Sequence, residues 1–213
     1  MSSNVTIAVL TGDLVGSVAL GPEKVEQAMA ALEHAAQGME HWIGAPLHFT
    51  RHRGDGWQVV VRYPKFAIRA ALMFRAAIRS LGNEFDTYIG LAEGNHVGYI
   101  PNDLNTITGK PFTWSGAELE KIKGRNLINR MGFGEATPSN GVLILADHIS
   151  QGWTPTQAEL MSIILDISNR PKNYTGIAKR LGKSRQTISK SLDAAGFDSI
   201  SLALSGIEFE DAQ

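Results

Sequence analysis

The order of short apolar segments in the first ninety residues constrains the fold of this chain most strongly. Four short runs rich in β-branched residues predict strands, at residues 5–10, 47–50, 57–61 and 87–92. Apolar residues recur at helical spacing at residues 23–39 and 64–81, which predicts two helices between them. The resulting order, β-α-β-β-α-β, is that of an α+β, ferredoxin-like domain with helices on one face of an antiparallel sheet.

The second predicted helix is amphipathic. Its apolar positions are expected to face inward, and its three arginines, Arg69, Arg75 and Arg79, are expected to face outward. Beyond it, residues 101–113 are polar and predict a surface loop. A helix at residues 115–123 and a strand at residues 127–131 are expected to follow.

The last third of the chain has a different pattern, which predicts helices only. Thr137-Pro138 and Thr154-Pro155 each combine an N-cap residue with a proline in the first turn. We place the domain boundary between residues 132 and 139. The sequence thus predicts a ferredoxin-like domain at residues 1–135 and an all-α helix-turn-helix domain at residues 136–213.

Positive charge is concentrated in one segment of this second domain. The chain of 213 residues has 20 Lys and Arg against 21 Asp and Glu, a formal net charge of −1. Residues 170–190 nevertheless contain seven basic side chains and no acidic one. A segment of this kind is typical of a surface that contacts a polyanion.

The same segment has the pattern of a helix-turn-helix. Ala178 and Leu181 predict the buried edge of a first helix, Gly182 a turn, and Ser184 the N-cap of a second helix. The exposed side of that second helix and its turn carries groups suited to base edges and phosphates. The predicted DNA-binding residues are Lys183, Ser184, Arg185, Gln186, Thr187, Ser189 and Lys190. The alternative is that these residues form a polar helix face that is exposed to solvent and has no binding role.

Two aspartates form a second candidate site. Asp13 follows the first predicted strand, and Asp55 lies in the predicted Asp-Gly hairpin turn. In a ferredoxin-like sheet these positions can be neighbours, and two carboxylates could hold Mg²⁺ or Mn²⁺. Gly16 and Ser17 could offer backbone N–H groups to a phosphate. Each aspartate has a purely conformational alternative, as a loop cap or as a turn residue.

Three segments resemble the signatures of the class III nucleotide cyclase homology domain. They are TGDLVGS at residues 11–17, RHRGDG at residues 51–56 and YIGLAEG at residues 88–94. The resemblance implies metal binding by Asp13, Leu14 and Asp55. It also places Arg51 where that family has a lysine that reads the purine, so the candidate nucleotide-binding residues are Gly16, Ser17 and Arg51.

The order of segments resembles the SatD-like bacterial proteins more closely. GKPF at residues 109–112 leads into SGAEL at residues 115–119, and the helix-turn-helix pattern comes last. Active class III cyclases carry an Asn and, four residues on, an Arg on a helix that completes the partner subunit's site. The predicted helix at residues 115–123 has neither, although Asn126 and Arg130 show that spacing in a stretch expected to be turn and strand.

Composition excludes several classes of function. The absence of cysteine excludes disulfide frameworks and thiolate metal sites. No signal peptide or membrane segment is evident, so we expect a cytoplasmic protein with no membrane partner. The leading interpretation is a transcriptional regulator that binds double-stranded DNA as a homodimer, with recognition helices about 34 Å apart. A nucleotide is its candidate effector. The alternatives are a metal-dependent nucleotide cyclase or nucleotidyl enzyme, and a degenerate scaffold for protein contacts.

Overall fold

A computed structural model describes residues 4–124, 128–135, 137–169 and 173–209. The strands in these residues are β1 (Asn4–Leu14), β2 (Thr50–His52), β3 (Gly56–Val61), β4 (Thr87–Val97) and β5 (Met131–Phe133). The helices of the first part are α1 (Ser17–Leu20), α2 (Pro22–Ile43), α3 (Ala67–Arg79) and α4 (Lys110–Gly124). Those of the second part are α5 (Pro138–Gln151), α6 (Pro155–Leu165), α7 (Tyr174–Arg180), α8 (Arg185–Ala194) and α9 (Phe197–Glu208).

The strands form one mixed sheet in the order β2-β3-β1-β4-β5. β1 pairs with β3 and β4 in antiparallel fashion, β2 pairs antiparallel with β3, and β5 adds a parallel edge to β4. The predicted α+β class is confirmed. In the observed register Asp13 lies between Gly56 on β3 and Tyr88 on β4, in the centre of the sheet.

Alternate residues of β1 point to two different apolar layers. Ala8, Leu10 and Leu14 belong to the main core, which α2 and α3 cover. Ile7 and Val9 belong to a smaller cluster on the other face, with Phe112 of α4. Because side chains alternate along a strand, Asp13 lies on the α4 side of the sheet.

Both central strands are longer than predicted. β1 and β4 pair along eleven residues each, so Asp13 lies within β1 and not in a loop after it. Pairing on both sides continues through Gly12, against which Trp57 of β3 packs closely. α4 begins at Lys110, inside the stretch that was expected to be a loop, because Pro111 fits the first turn of a helix.

The prediction that the three α3 arginines face outward is wrong. The side chain of Arg79 is 11% exposed and donates two hydrogen bonds to the carbonyl of Trp153. Arg69 and Arg75 are 2% and 0% exposed. Arg69 donates two hydrogen bonds to Glu208 of α9, at 2.6 and 2.7 Å, and Arg75 pairs with Asp86 and Asp147. Burying an arginine is tolerable only with such partners, and these partners come from distant parts of the chain.

The C-terminal helices pack on α3, so the face that carries its arginines is an internal one. α5 and α6 contact α3, and the main apolar core extends from the sheet into α5, α6, α8 and α9 without a break. The predicted boundary falls between β5 and α5, and Ala136 lies outside the described residues.

The strand predicted at residues 127–131 is found further along the chain. Leu127 lies outside the described residues, and β5 runs from Met131 to Phe133.

Among the helices described here, none has the length and apolarity needed to cross a membrane.

Gly90 sets the distance between β4 and α4. A Cβ added at this position would lie 2.1 Å from the Ser115 carbonyl oxygen and 2.5 Å from the Leu119 amide nitrogen. We therefore expect Gly90→Ala to lower the free energy of unfolding by about 1–3 kcal/mol, because α4 must shift. Urea denaturation measures this change. Gly116→Ala, on α4 with open space around its Cβ, is the control and is expected to be neutral or stabilising; equal losses in both variants would contradict the close approach.

Candidate functional site

One candidate site is an exposed surface on α7, α8 and the turn between them, here named the α7–α8 surface. Gly182 turns the chain with φ 61°, and the amide of Lys183 donates to the carbonyl of Ala178 at 2.9 Å. Such a left-handed conformation favours glycine, so the residue at the predicted turn is the one the geometry needs.

α8 begins where the sequence predicts it. The Ser184 hydroxyl accepts a hydrogen bond from the amide of Thr187 at 3.1 Å, which caps the helix. Ile188 and Leu192 are buried, and the indole N–H of Trp153 donates to the carbonyl of Ala195 at 2.9 Å, just beyond the last turn. Hydrogen bonds therefore hold α8 at both ends, and its apolar edge is buried in the core.

The structure brings all seven predicted DNA-binding residues to the outer side of this surface. Each of them is exposed: Lys183, Ser184, Arg185, Gln186, Thr187, Ser189 and Lys190. The charged groups of Lys183, Arg185 and Lys190 form no ion pair with any residue in the described part of the chain. Arg170 and Lys172, which belong to the same basic segment, lie outside the described residues.

The second candidate site is formed by Asp13 at the end of β1 and by the turn that joins β2 to β3, here named the Asp13–Asp55 site. The amide of Leu14 donates to the carbonyl of Asp55 at 3.2 Å, which ties the turn to β1. Leu14 itself is buried in the main core. Gly16 precedes α1 as its N-cap, and the hydroxyl of Ser17 donates a hydrogen bond to the Asp55 carboxylate.

An open groove collects three of the predicted residues on one side of this site. Ser17, Arg51 and Asp55 line it, together with Glu26 and Arg53. Arg51 donates two hydrogen bonds to Glu26, at 2.8 and 2.7 Å, and a third to the carbonyl of Gly54 at 3.0 Å. This pairing raises the pKa of Arg51 and lowers the pKa of Glu26. A purine base could contact the guanidinium group of Arg51 only by competing with the Glu26 carboxylate for its hydrogen bonds.

Sequence reasoning missed Lys123, which contacts the site from α4. Its ammonium group lies 2.5 Å from the carboxylate of Asp13. The hydrogen bond to Asp13 raises the pKa of Lys123, and the negative charges of Asp13, Glu120 and Asp55 act in the same direction. The two residues are 110 positions apart, so no local pattern links them.

The geometry does not assemble a complete ligand set for a metal ion. Within the described ranges, no group of three or more His, Asp or Glu side chains comes close enough to hold one. Asp13 is paired with Lys123, and Asp55 accepts from Ser17. Metal binding by Asp13, Leu14 and Asp55 stays a prediction, and the residues present do not fit a preformed metal centre.

The pair of residues that resembles the Asn and Arg of active cyclases does not form a described site either. Asn126 lies outside the described residues. The guanidinium of Arg130 forms an ion pair with Asp86, between the sheet and α5. Arg130 is therefore already engaged in the contact between the two parts of the chain.

Comparison with known proteins adds no assignment. No protein-family model matches the chain, and no curated protein is similar to it. The α7–α8 surface and the Asp13–Asp55 site therefore carry the functional argument.

Proposed function

We propose that this protein is a DNA-binding transcriptional regulator, in which α7 and α8 act as a helix-turn-helix. The observation that carries the proposal is the α7–α8 surface, where Lys183, Arg185 and Lys190 are exposed without an acidic partner among the described residues. Exposed cations beside a capped helix can neutralise phosphates, and Arg and Gln side chains can read base edges in the major groove.

The packing that holds α8 in one orientation supports a role in the recognition of DNA sequence. A recognition helix must be held in one orientation to place its N-terminal side chains against base edges. Ile188, Leu192 and the Trp153–Ala195 hydrogen bond fix α8 against α6 and α9. Arg185 and Gln186, in its first turn, are the residues for which we propose base contacts, and Lys183 and Lys190 are proposed to contact phosphates.

We further propose that the N-terminal part is a ferredoxin-like domain that forms the dimer and senses a nucleotide. The antiparallel order β2-β3-β1-β4 supports the ferredoxin-like interpretation. The groove that gathers Ser17, Arg51 and Asp55 supports a nucleotide as effector. The cyclase alternative would use the same residues, but the Lys123–Asp13 pair speaks against it because it occupies one of the two carboxylates.

A series of hydrogen-bonded residues leads from the Asp13–Asp55 site to α8, and it supports the proposal that nucleotide binding is sensed at α8. The amide of Val15, two residues after Asp13, donates to the carbonyl of Asp86 at 2.9 Å. The carboxylate of Asp86 accepts from Arg75 and Arg79, and Arg79 donates to the carbonyl of Trp153 at 2.8 Å. Trp153 in turn holds the end of α8. Coupling of this kind needs an element with two arrangements, which nucleotide binding near Val15 would bias.

Enrichment of sheared genomic DNA on the purified protein tests the proposal, with and without nucleotides plus Mg²⁺. We expect discrete peaks with a palindromic centre for the wild type. A nucleotide effect on these peaks would support sensing by the N-terminal part. Enrichment without any sequence preference at moderate salt would contradict the regulator function.

Two substitutions separate the proposed roles on the α7–α8 surface. We expect Arg185→Ala to weaken binding to the enriched site by about 5- to 150-fold and to relax specificity at one position, as loss of a base contact does. Lys190→Ala is expected to weaken binding to all sequences alike and to reduce the salt dependence by about one counterion. Electrophoretic mobility shifts at several salt concentrations measure both, with the exposed Arg62→Ala as the control. Equal losses on specific and random DNA in both variants would contradict the assigned roles.

A further inference from the structure

The Asp13–Asp55 site already contains a cation of its own. The carboxylate of Asp13 is 16% exposed and accepts from the ammonium group of Lys123, which is 34% exposed, at 2.5 Å. The amide of Leu14, the residue after Asp13, donates to the carbonyl of Asp55 at 3.2 Å, so the turn that carries Asp55 lies beside this ion pair. The negative charge of Asp55 acts on Lys123 in the same direction as that of Asp13 and raises its pKa.

The position of Lys123 is fixed by the packing of α4 and does not depend on a flexible loop. The hydroxyls of Thr11 on β1 and Ser115 on α4 lie 2.7 Å apart in a buried hydrogen bond. The backbone of α4 also approaches Gly90 so closely that no side chain fits there. The anchored helix therefore keeps the backbone of Lys123 within reach of the Asp13 carboxylate, and its ammonium group lies 2.5 Å from that carboxylate.

We propose that Lys123 is a resident cation that takes the place of a divalent metal ion at the Asp13–Asp55 site. A divalent cation reaches the two carboxylates only by displacing the ammonium group, because both compete for the same oxygen atoms of Asp13. The native protein therefore binds Mn²⁺ or Mg²⁺ weakly at this site, and removal of Lys123 exposes a two-carboxylate site for such a cation. The inference is independent of DNA binding.

The binding of Mn²⁺ alone tests this proposal, measured by the electron paramagnetic resonance signal of the free ion. We expect Lys123→Met, which keeps the length of the side chain and removes its charge, to raise the affinity for Mn²⁺ by about tenfold or more. Adding Asp13→Asn to Lys123→Met is expected to abolish that gain. Lys123→Arg, which keeps the positive charge, is expected to bind Mn²⁺ as weakly as the wild type.

Lys121→Met is the matched control on the same helix. Lys121 pairs with Glu118, three residues earlier on α4, and not with Asp13. It is expected to leave the affinity for Mn²⁺ unchanged. A second measurement is the melting temperature, which Mn²⁺ is expected to raise in Lys123→Met more than in the wild type, since a ligand stabilises the state that binds it.

Three results would overturn the proposal. An unchanged Mn²⁺ affinity in Lys123→Met would make Lys123 an ordinary surface ion pair. Tight binding to the wild type would show that the ammonium group does not compete. The same gain in Lys121→Met would assign the effect to net charge and not to the site.

Discussion

Arg75→Ala is expected to lower the free energy of unfolding by about 3–5 kcal/mol, because it leaves the buried carboxylate of Asp147 without its counter-charge. Arg75 is 0% exposed and donates to Asp86 at 3.1 Å and to Asp147 at 2.5 Å. It also donates to the hydroxyl of Ser150 at 2.8 Å. These partners belong to both parts of the chain, so the variant also loosens the contact between them.

Urea denaturation followed by tryptophan fluorescence measures this effect. Arg62→Ala is the matched control, because Arg62 is an exposed arginine close to the start of the same helical segment. Its expected change lies within about 0.5 kcal/mol. A change of that small size for Arg75→Ala would mean that water or neighbouring groups replace the guanidinium, and the buried network would not be a stabilising contact.

Glu208→Ala is expected to lower the free energy of unfolding by a similar amount, about 3–5 kcal/mol, because it leaves the buried charge of Arg69 without a partner. Arg69 is buried between α3 and α9, where it also donates to the carbonyl of Leu165 at 2.9 Å. The double variant Arg69→Met with Glu208→Leu removes both charges. We expect it to be close to the wild type or more stable, since apolar residues of similar volume often replace a buried ion pair without loss.

The comparison of Arg69→Met, Glu208→Leu and the double variant separates two roles of this pair. Additive losses, with the double variant less stable than either single one, would show that packing and not charge determines the effect. A stable double variant that still binds DNA would show that the ion pair is dispensable for the α7–α8 surface. The same denaturation experiment provides the free energies for all three variants.

The elements that depend on local sequence could be predicted. The turn at Gly182, the cap at Ser184 and the buried positions Ile188 and Leu192 follow from residues within one or two helical turns of each other. For the same reason the seven residues of the predicted DNA-binding face are found together on one exposed surface. The mixed α+β class follows from the alternation of apolar patterns along the chain.

Contacts between distant residues could not be predicted. The orientation of Arg69 and Arg75 depends on acidic partners on α5, α9 and the start of β4, and a helical pattern alone places arginines toward water. The contact of Lys123 with Asp13 could not be predicted, because it depends on how α4 is positioned over the sheet. The length of β1 depends on its partners and not on residue type, since pairing with β3 continues to Asp13 and pairing with β4 continues to Leu14.

The buried Arg69–Glu208 pair has a consequence for biosynthesis. Its two residues are 139 positions apart, and Glu208 is added to the chain long after Arg69. At about 5–20 residues per second on the ribosome, Arg69 waits roughly 7–28 s for its partner. During that interval α3 carries an arginine on a face that α9 has not yet covered, so this face of α3 becomes buried only after α9 has been synthesised.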